Sequence, residues 1–285
     1  MKNIKIFADS TCDLSSEEAK KLDIGIVPLK VSFDFETFKD GVDISSEQLF
    51  QLVDKYNRLP LTSSPSPADF YNSFKPYVSK GQEIIYIGLS SKISSTIQNA
   101  KLAADFLPEN SVYIVDSLNL CGATGALVKY TYEFLEKGLD VDEVIKKLKI
   151  LIPNYRLFFT VETLDYLHRG GRCSSVEKIF GSMLNIKPII EMSPEGLGVW
   201  KKTRGKRKAF DMMIKQLNKD KDDIYKQEIQ IASAPGNELE LEKLKDIITK
   251  KTGINKFNEY ETGCVISSHC GRGTIGFGYF LNRVD

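Results

Sequence analysis

Three short apolar runs, IKIFA at residues 4–8, EIIYIGL at 83–89 and SVYIVD at 111–116, each lead into a segment patterned as a helix. Buried-type strands alternating with amphipathic helices constrain the fold more than any other feature, because they specify parallel α/β units. After IKIFA comes SSEEAKKL, where Ser15 and Glu18 have the spacing of a capping box. GIVPLKVSF then reads as one strand, and SSEQLFQLVDKY as a helix with Leu49, Leu52 and Val53 on its apolar face. Pro67 suits the first turn of the helix PADFYNSFKPYV, with Ser66 as its N-cap. Further helices are expected at 94–107 and 119–137, the second stopped by Gly138.

The second half changes character. LFFTVETL, NIKPIIEM, LGVWKKT, EIQIASA and KFNEYE read as strands, separated by helices around 163–182, 205–219 and 237–250. PIIEM and GLGVW are joined by so short a link that an antiparallel hairpin is expected. The fold class is therefore α/β with two domains. Residues 1–153 form an α/β/α unit with a mainly parallel sheet, and 154–285 an α+β unit with a mixed or antiparallel sheet.

Composition narrows the function. The 285 residues are 42% hydrophobic and 27% charged, an ordinary globular balance. A formal net charge of +1 does not suit a nucleic-acid binder. No apolar stretch approaches the ~18 residues of a membrane span. The N-terminal apolar run is broken by Asp9 and is too short for a signal peptide. Five scattered cysteines without a CxxC pair fit a reducing cytoplasm and argue against a zinc site or a disulfide framework.

Four stretches are candidates for chemistry. In GLSSKISSTIQNA a buried strand gives way to a helix at about Ser94, and the amides of Ser94, Ser95 and Thr96 face outward. With the helix dipole they form an anion site, or else simple N-capping. In LTSSPSPADF, residues 61–70, Thr62, Ser63, Ser64 and Ser66 offer hydroxyls while Pro65 and Pro67 stiffen the loop. It is either a structural turn or an oxyanion grip. SSHCGRGTIGFG contains a formal GxGxxG. Only nine residues follow Gly276, so a dinucleotide-binding unit has no room, and the glycines are read as close-approach positions, with His269 at a strand end. Finally, Arg169, Arg172 and the run KKTRGKRK at 201–208 form either a solvated face or a phosphate- or partner-binding patch.

Taken together, ADST, TSSPSP, LSSKISSTIQNA, ETLDYLHRGGRCS, KPIIEM with KTRGKRK, and SSHCGRG resemble the DegV family of bacterial fatty-acid-binding proteins over nearly the whole chain. The resemblance implies a fatty acid in a buried tunnel, its carboxylate held by Thr62 and Ser94 with the Ser95 amide and His269 close by. It also implies a separate ATP-dependent kinase partner that converts the bound acid to an acyl phosphate for phospholipid synthesis. Arg172 and Arg204 would face that partner or the phosphate. The chain would be a lipid-binding subunit without catalytic residues, metal or cofactor, exchanging its ligand peripherally with membranes. Ser64, Ser95 and Arg272 depart from the family's usual glutamine, glycine and proline, and Arg272 would add charge near the ligand mouth.

Physically, burying ~14 methylenes at ~0.8 kcal/mol each offers roughly 11 kcal/mol before ordering costs. An unpartnered buried carboxylate would cancel much of that. The chain carries no Walker sequence and no GxSxG elbow. The competing readings are an acyl hydrolase using Ser94 and His269, and an acyl-chain-sensing regulator.

Overall fold

The computed structural model describes residues 4–34, 36–173, 186–193 and 195–282. The first half runs β1 (Ile4–Asp9), α1 (Ser16–Lys21), β2 (Gly25–Val27), β3 (Lys30–Phe33), β4 (Glu36–Lys39), α2 (Ser46–Tyr56), β5 (Leu61–Ser63) and α3 (Pro67–Val78). It continues with β6 (Glu83–Gly88), α4 (Thr96–Ala104), β7 (Val112–Asp116), α5 (Gly122–Glu136) and α6 (Val141–Leu151). The second half runs β8 (Tyr155–Thr160), α7 (Asp165–Gly170), β9 (Ile186–Ser193), β10 (Gly196–Arg204), α8 (Lys206–Asp220) and β11 (Glu228–Ser233). It ends with α9 (Glu238–Thr252), β12 (Lys256–Glu261), α10 (Cys264–Cys270) and β13 (Ile275–Phe280).

The three apolar runs become neighbours in a parallel sheet of order β2-β1-β6-β7. Local sequence sets the helix starts. Ser15 with Glu18, and Ser66 with Asp69, each form a complete capping box, and Pro67 occupies the first turn of α3. Gly138 follows α5 with φ +85°, the left-handed conformation expected of a helix stop.

GIVPLKVSF is not one strand. Pro28 has no amide to give a ladder, and the chain breaks there. β2 stays in the parallel sheet, while β3 leaves for a separate antiparallel sheet of order β4-β3-β5. That small sheet carries Thr62, opposite Val31.

From Tyr155 onward every strand belongs to a mixed six-stranded sheet, β10-β9-β8-β13-β11-β12, in which only β11 and β12 run parallel. The β9–β10 hairpin is antiparallel, as its short link predicts. Of the helix expected around 163–182, α7 is present, and 174–182 lies outside the described residues. β13 is absent from the strand expectations because its glycines mask it. At Gly276 a Cβ would lie 2.4 Å from Phe159 Cβ, and at Gly278 2.3 Å from Tyr155 Oη, so both side chains must be missing for the strand to fit.

α5 lies between the two large sheets, touching β1 and β6 on one side and β11, β12 and β13 on the other. One core cluster accordingly joins Ile6, Ile85 and Leu127 to Tyr155 and Phe280. A second, beneath α10, gathers Leu29, Val31, Leu89, Leu120, Phe159 and Val265. α8 and α9 cover the far face of the mixed sheet through Met213, Ile214, Leu244 and Ile248. We keep the division into 1–153 and 154–285 as a proposal about sheet membership. Among the described residues no helix is long and apolar enough to cross a membrane, and none forms a disulfide.

Candidate functional site

Three buried carboxylates build the frame. Asp9, at the end of β1, accepts from the Leu89 amide at 2.8 Å, from Tyr86 Oη at 2.8 Å and from the Thr11 amide at 3.0 Å. Burial raises its pKa and these donors oppose the rise. The contact fixes the chain where it leaves β6, so that Leu89 turns into a cavity. Asp40 accepts from the amides of Cys264 at 2.7 Å and Val265 at 3.4 Å and from Ser10 Oγ at 2.9 Å. Asp13 takes the Gly263 amide at 3.0 Å. Acids at a helix N-terminus satisfy amides that have no partner within the helix. They set α10 in place, and α10 carries His269.

His269 is therefore in the last turn of a short helix, not at a strand end as expected. Its Nε2 lies 2.8 Å from Thr62 Oγ1, joining positions that the sequence separates by 207 residues. Nδ1 is buried with no partner among the described residues. The tautomer that uses its proton carries it on Nε2 and donates it to Thr62, which leaves the threonine proton for a third group. Burial, and secondarily the Arg172 charge, pull the His269 pKa down to about 4. The ring is neutral near pH 7.

The helix opening differs in detail from expectation. α4 begins at Thr96, not Ser94. The Ser94 amide donates to the Ser90 carbonyl at 3.2 Å, and the Thr96 amide to Ser94 Oγ at 3.3 Å. Ser94 Oγ also pairs with Thr96 Oγ1 at 2.7 Å. Of the three amides read as an anion site, only that of Ser95 has no protein acceptor among the described residues. The hydroxyl loop and this helix are joined directly. Ser64 Oγ meets Ser95 Oγ at 2.8 Å, and Asn99 Nδ2 donates to Ser64 Oγ at 3.1 Å and to the Pro65 carbonyl at 2.7 Å.

These groups surround a cavity of about 270 Å³. Thr62, Ser64, Ser94, Ser95, Arg172 and His269 line its polar side, and Leu29, Leu89, Ile93, Leu120, Leu197 and Ile266 its apolar side. Past Leu120, Ile266 and Cys270, which belong to both walls, lies a narrower space of about 40 Å³ between the start of α5 and the mixed sheet. A cavity with a polar side thus adjoins a smaller, mostly apolar one, an arrangement suited to an amphiphile with an anionic head.

Of the basic candidates, Arg172 is exposed at the mouth, its Nη1 donating to the Gly170 carbonyl at 2.6 Å. Arg204, at the exposed end of β10, does not line the cavity, and neither does Arg169. Arg272 is turned away from the mouth. It pairs with Asp54 at 2.6 Å and stacks 4.8 Å from the Phe50 ring, so it adds no charge there, contrary to expectation. Ser94 and His269 do not pair as the nucleophile and base of a hydrolase would: Ser94 Oγ pairs with Thr96 Oγ1, and His269 Nε2 with Thr62 Oγ1. Sequence reasoning missed Asn99 and Asp40. Asn99 sits one turn after Ser95 on the same helix face and was legible; Asp40 acts across 224 residues and had no local signal.

Comparison with known proteins places the chain in company. Residues 3–282 match a family model described as uncharacterised protein, DegV family. A DegV domain-containing protein of Clostridium acetobutylicum is 34% identical over 283 residues, covering 99% of this chain and 100% of that one. Among solved structures, a fatty-acid-binding DegV family protein from Thermus thermophilus superposes with a TM-score of 0.90 at 29% identity, covering 99% of this chain and 100% of that one. A stearic-acid-binding protein from Eubacterium ventriosum gives 0.86 at 28% identity, with 98% of each chain covered.

Proposed function

The chain belongs to the DegV family, and on that premise we propose that it holds a long-chain fatty acid with the carboxylate at the mouth and the hydrocarbon in the interior. One observation carries the reading: Thr62, His269, Ser95 and Arg172 line one cavity together with Ser64 and Ser94, and most of its other lining residues are apolar. The neutral imidazole orients the Thr62 proton toward the carboxylate. The Ser95 amide supplies a second donor, and Arg172 balances the charge without being buried.

Such a protein stores and presents an acid; it does no chemistry by itself. A separate ATP-dependent kinase would phosphorylate the carboxylate, which the exposed Arg172 leaves approachable, and the acyl phosphate would feed phospholipid synthesis. Arg204 would contact that partner. The setting that suits the reduced, buried thiols is the cytoplasm.

Native mass spectrometry of protein purified without added lipid tests the binding reading. The expected spectrum contains the chain plus the mass of a fatty acid, and a spectrum showing only the bare chain, unchanged after incubation with long-chain acids, rejects it. The partner reading is tested separately. Arg204→Ala is expected to retain ligand but to slow acyl-phosphate formation when ATP and the kinase are supplied; loss of ligand instead places Arg204 wrongly. Steady turnover of an activated acyl ester that disappears in Ser94→Ala would favour a hydrolase.

A further inference from the structure

The inner space holds one feature that a plain hydrocarbon does not explain. Gln230 on β11 is 2% exposed and lines this space, and neither its amide oxygen nor its amide nitrogen has a hydrogen-bond partner among the described residues. The two threonine hydroxyls along the same wall are engaged: Thr262 Oγ1 pairs with Ser267 Oγ at 2.8 Å, and Thr274 Oγ1 donates to the Cys270 carbonyl at 2.8 Å. Strand alternation sends Ile229 and Ile231 to the opposite face, under α8 and α9, so Gln230 is held toward the cavity by register.

A second polar group stands beside it. Gln230 pairs directly with Gly278 of β13, and Tyr155 Oη lies where a Cβ on Gly278 would be, 2.3 Å from that point. Directly opposed residues share a face with Cβ positions about 4.5–5.5 Å apart. The phenol and the amide therefore flank one spot without bonding to each other. Gln230 is three residues, about 10 Å of strand, from Ser233, whose partner Ile275 begins the strand that follows α10. Gln230 lines the second space and not the first, from which Leu120, Ile266 and Cys270 divide it.

Resting on the fatty-acid reading above, we propose that the inner space is a subsite for a hydroxyl group carried near the middle of the acyl chain, with Gln230 as the residue that selects it and Tyr155 as its neighbour. A hydroxyl both donates and accepts, so it matches the two vacant positions of the amide, whereas a methylene leaves both unsatisfied. Sites built to hydrogen-bond a ligand hydroxyl discriminate against the analogue lacking it because buried polar groups are then left unpaired.

The test is competition. Delipidated full-length protein is offered equimolar octadecanoic acid and octadecanoic acids hydroxylated near the chain centre, and bound species are counted by native mass spectrometry. Wild-type protein is expected to favour at least one hydroxy isomer by about tenfold. Gln230→Leu, checked for folding by its thermal transition, is expected to favour the unsubstituted acid, and Tyr155→Phe to weaken the preference without reversing it. Equal or better binding of the unsubstituted acid by wild type overturns the proposal and would mean that trapped water satisfies the amide; a preference that Gln230→Leu leaves unchanged overturns it too, by assigning the selection to another residue. Failure of every acid to bind removes the fatty-acid reading itself, and this one with it.

Discussion

Thr62 gains its role from a residue 207 positions away, and neither partner explains itself alone. A threonine before two prolines reads as a turn, and a lone histidine as a satisfied polar group. Only their 2.8 Å contact at the head of an apolar cavity gives them a common purpose. Thr62→Val keeps the shape and removes the hydroxyl, so titration calorimetry should show fatty-acid affinity falling by about 2 kcal/mol, as for a hydrogen bond to a charged acceptor. His269 yields a pH prediction whose sign follows from its depressed pKa. The unfolded chain takes up the proton near 6.5 and the native ring only at about 4. The stability contributed by the neutral ring is therefore complete above 6.5 and is lost as pH falls toward 4. In delipidated protein, denaturant unfolding should show that loss in wild type and a shallower slope in His269→Gln.

At the scale of elements, the sequence was most legible where local rules decide. A capping box located α1, Pro67 with Ser66 as N-cap located α3, and apolar runs located β1, β6 and β7. It was least legible where tertiary packing overrides propensity. The glycines of β13 look like loop and are a central strand, because Tyr155 and Phe159 occupy the volume their side chains would need. α10 reads as a strand end and is a helix, because Asp40 and Asp13 meet its first amides. Asp40→Ala should cost about 2–3 kcal/mol of stability by stranding those amides, and chemical denaturation measures it. Nuclear magnetic resonance of the His269 ring should show it losing its fixed orientation in the same variant. Asn99→Ala cuts the tie between the hydroxyl loop and α4, with an expected loss of about 1–2 kcal/mol and a faster release of bound acid in stopped-flow exchange.

For the whole molecule, the question is whether two sheets make two independent units. Composition and pattern correctly separate a parallel first half from a mixed second half. They do not reveal that α5 is shared, or that Tyr155 and Phe280 pack with Ile6 and Leu127 in one cluster. A shared core couples the halves, so calorimetry should record a single transition whose calorimetric and van't Hoff enthalpies agree; two resolved transitions would mean that the sheets melt separately. The same coupling shapes how a ligand arrives. With one lone pair of Thr62 taken by the Nε2 proton of His269, the alcohol proton is left to point elsewhere, and an acid bound as proposed would meet a donor that is aimed before it docks. Little rearrangement would then remain for the head group, and on the proposed reading the choice among fatty acids would pass to whatever the tail encounters in the dark at the far end.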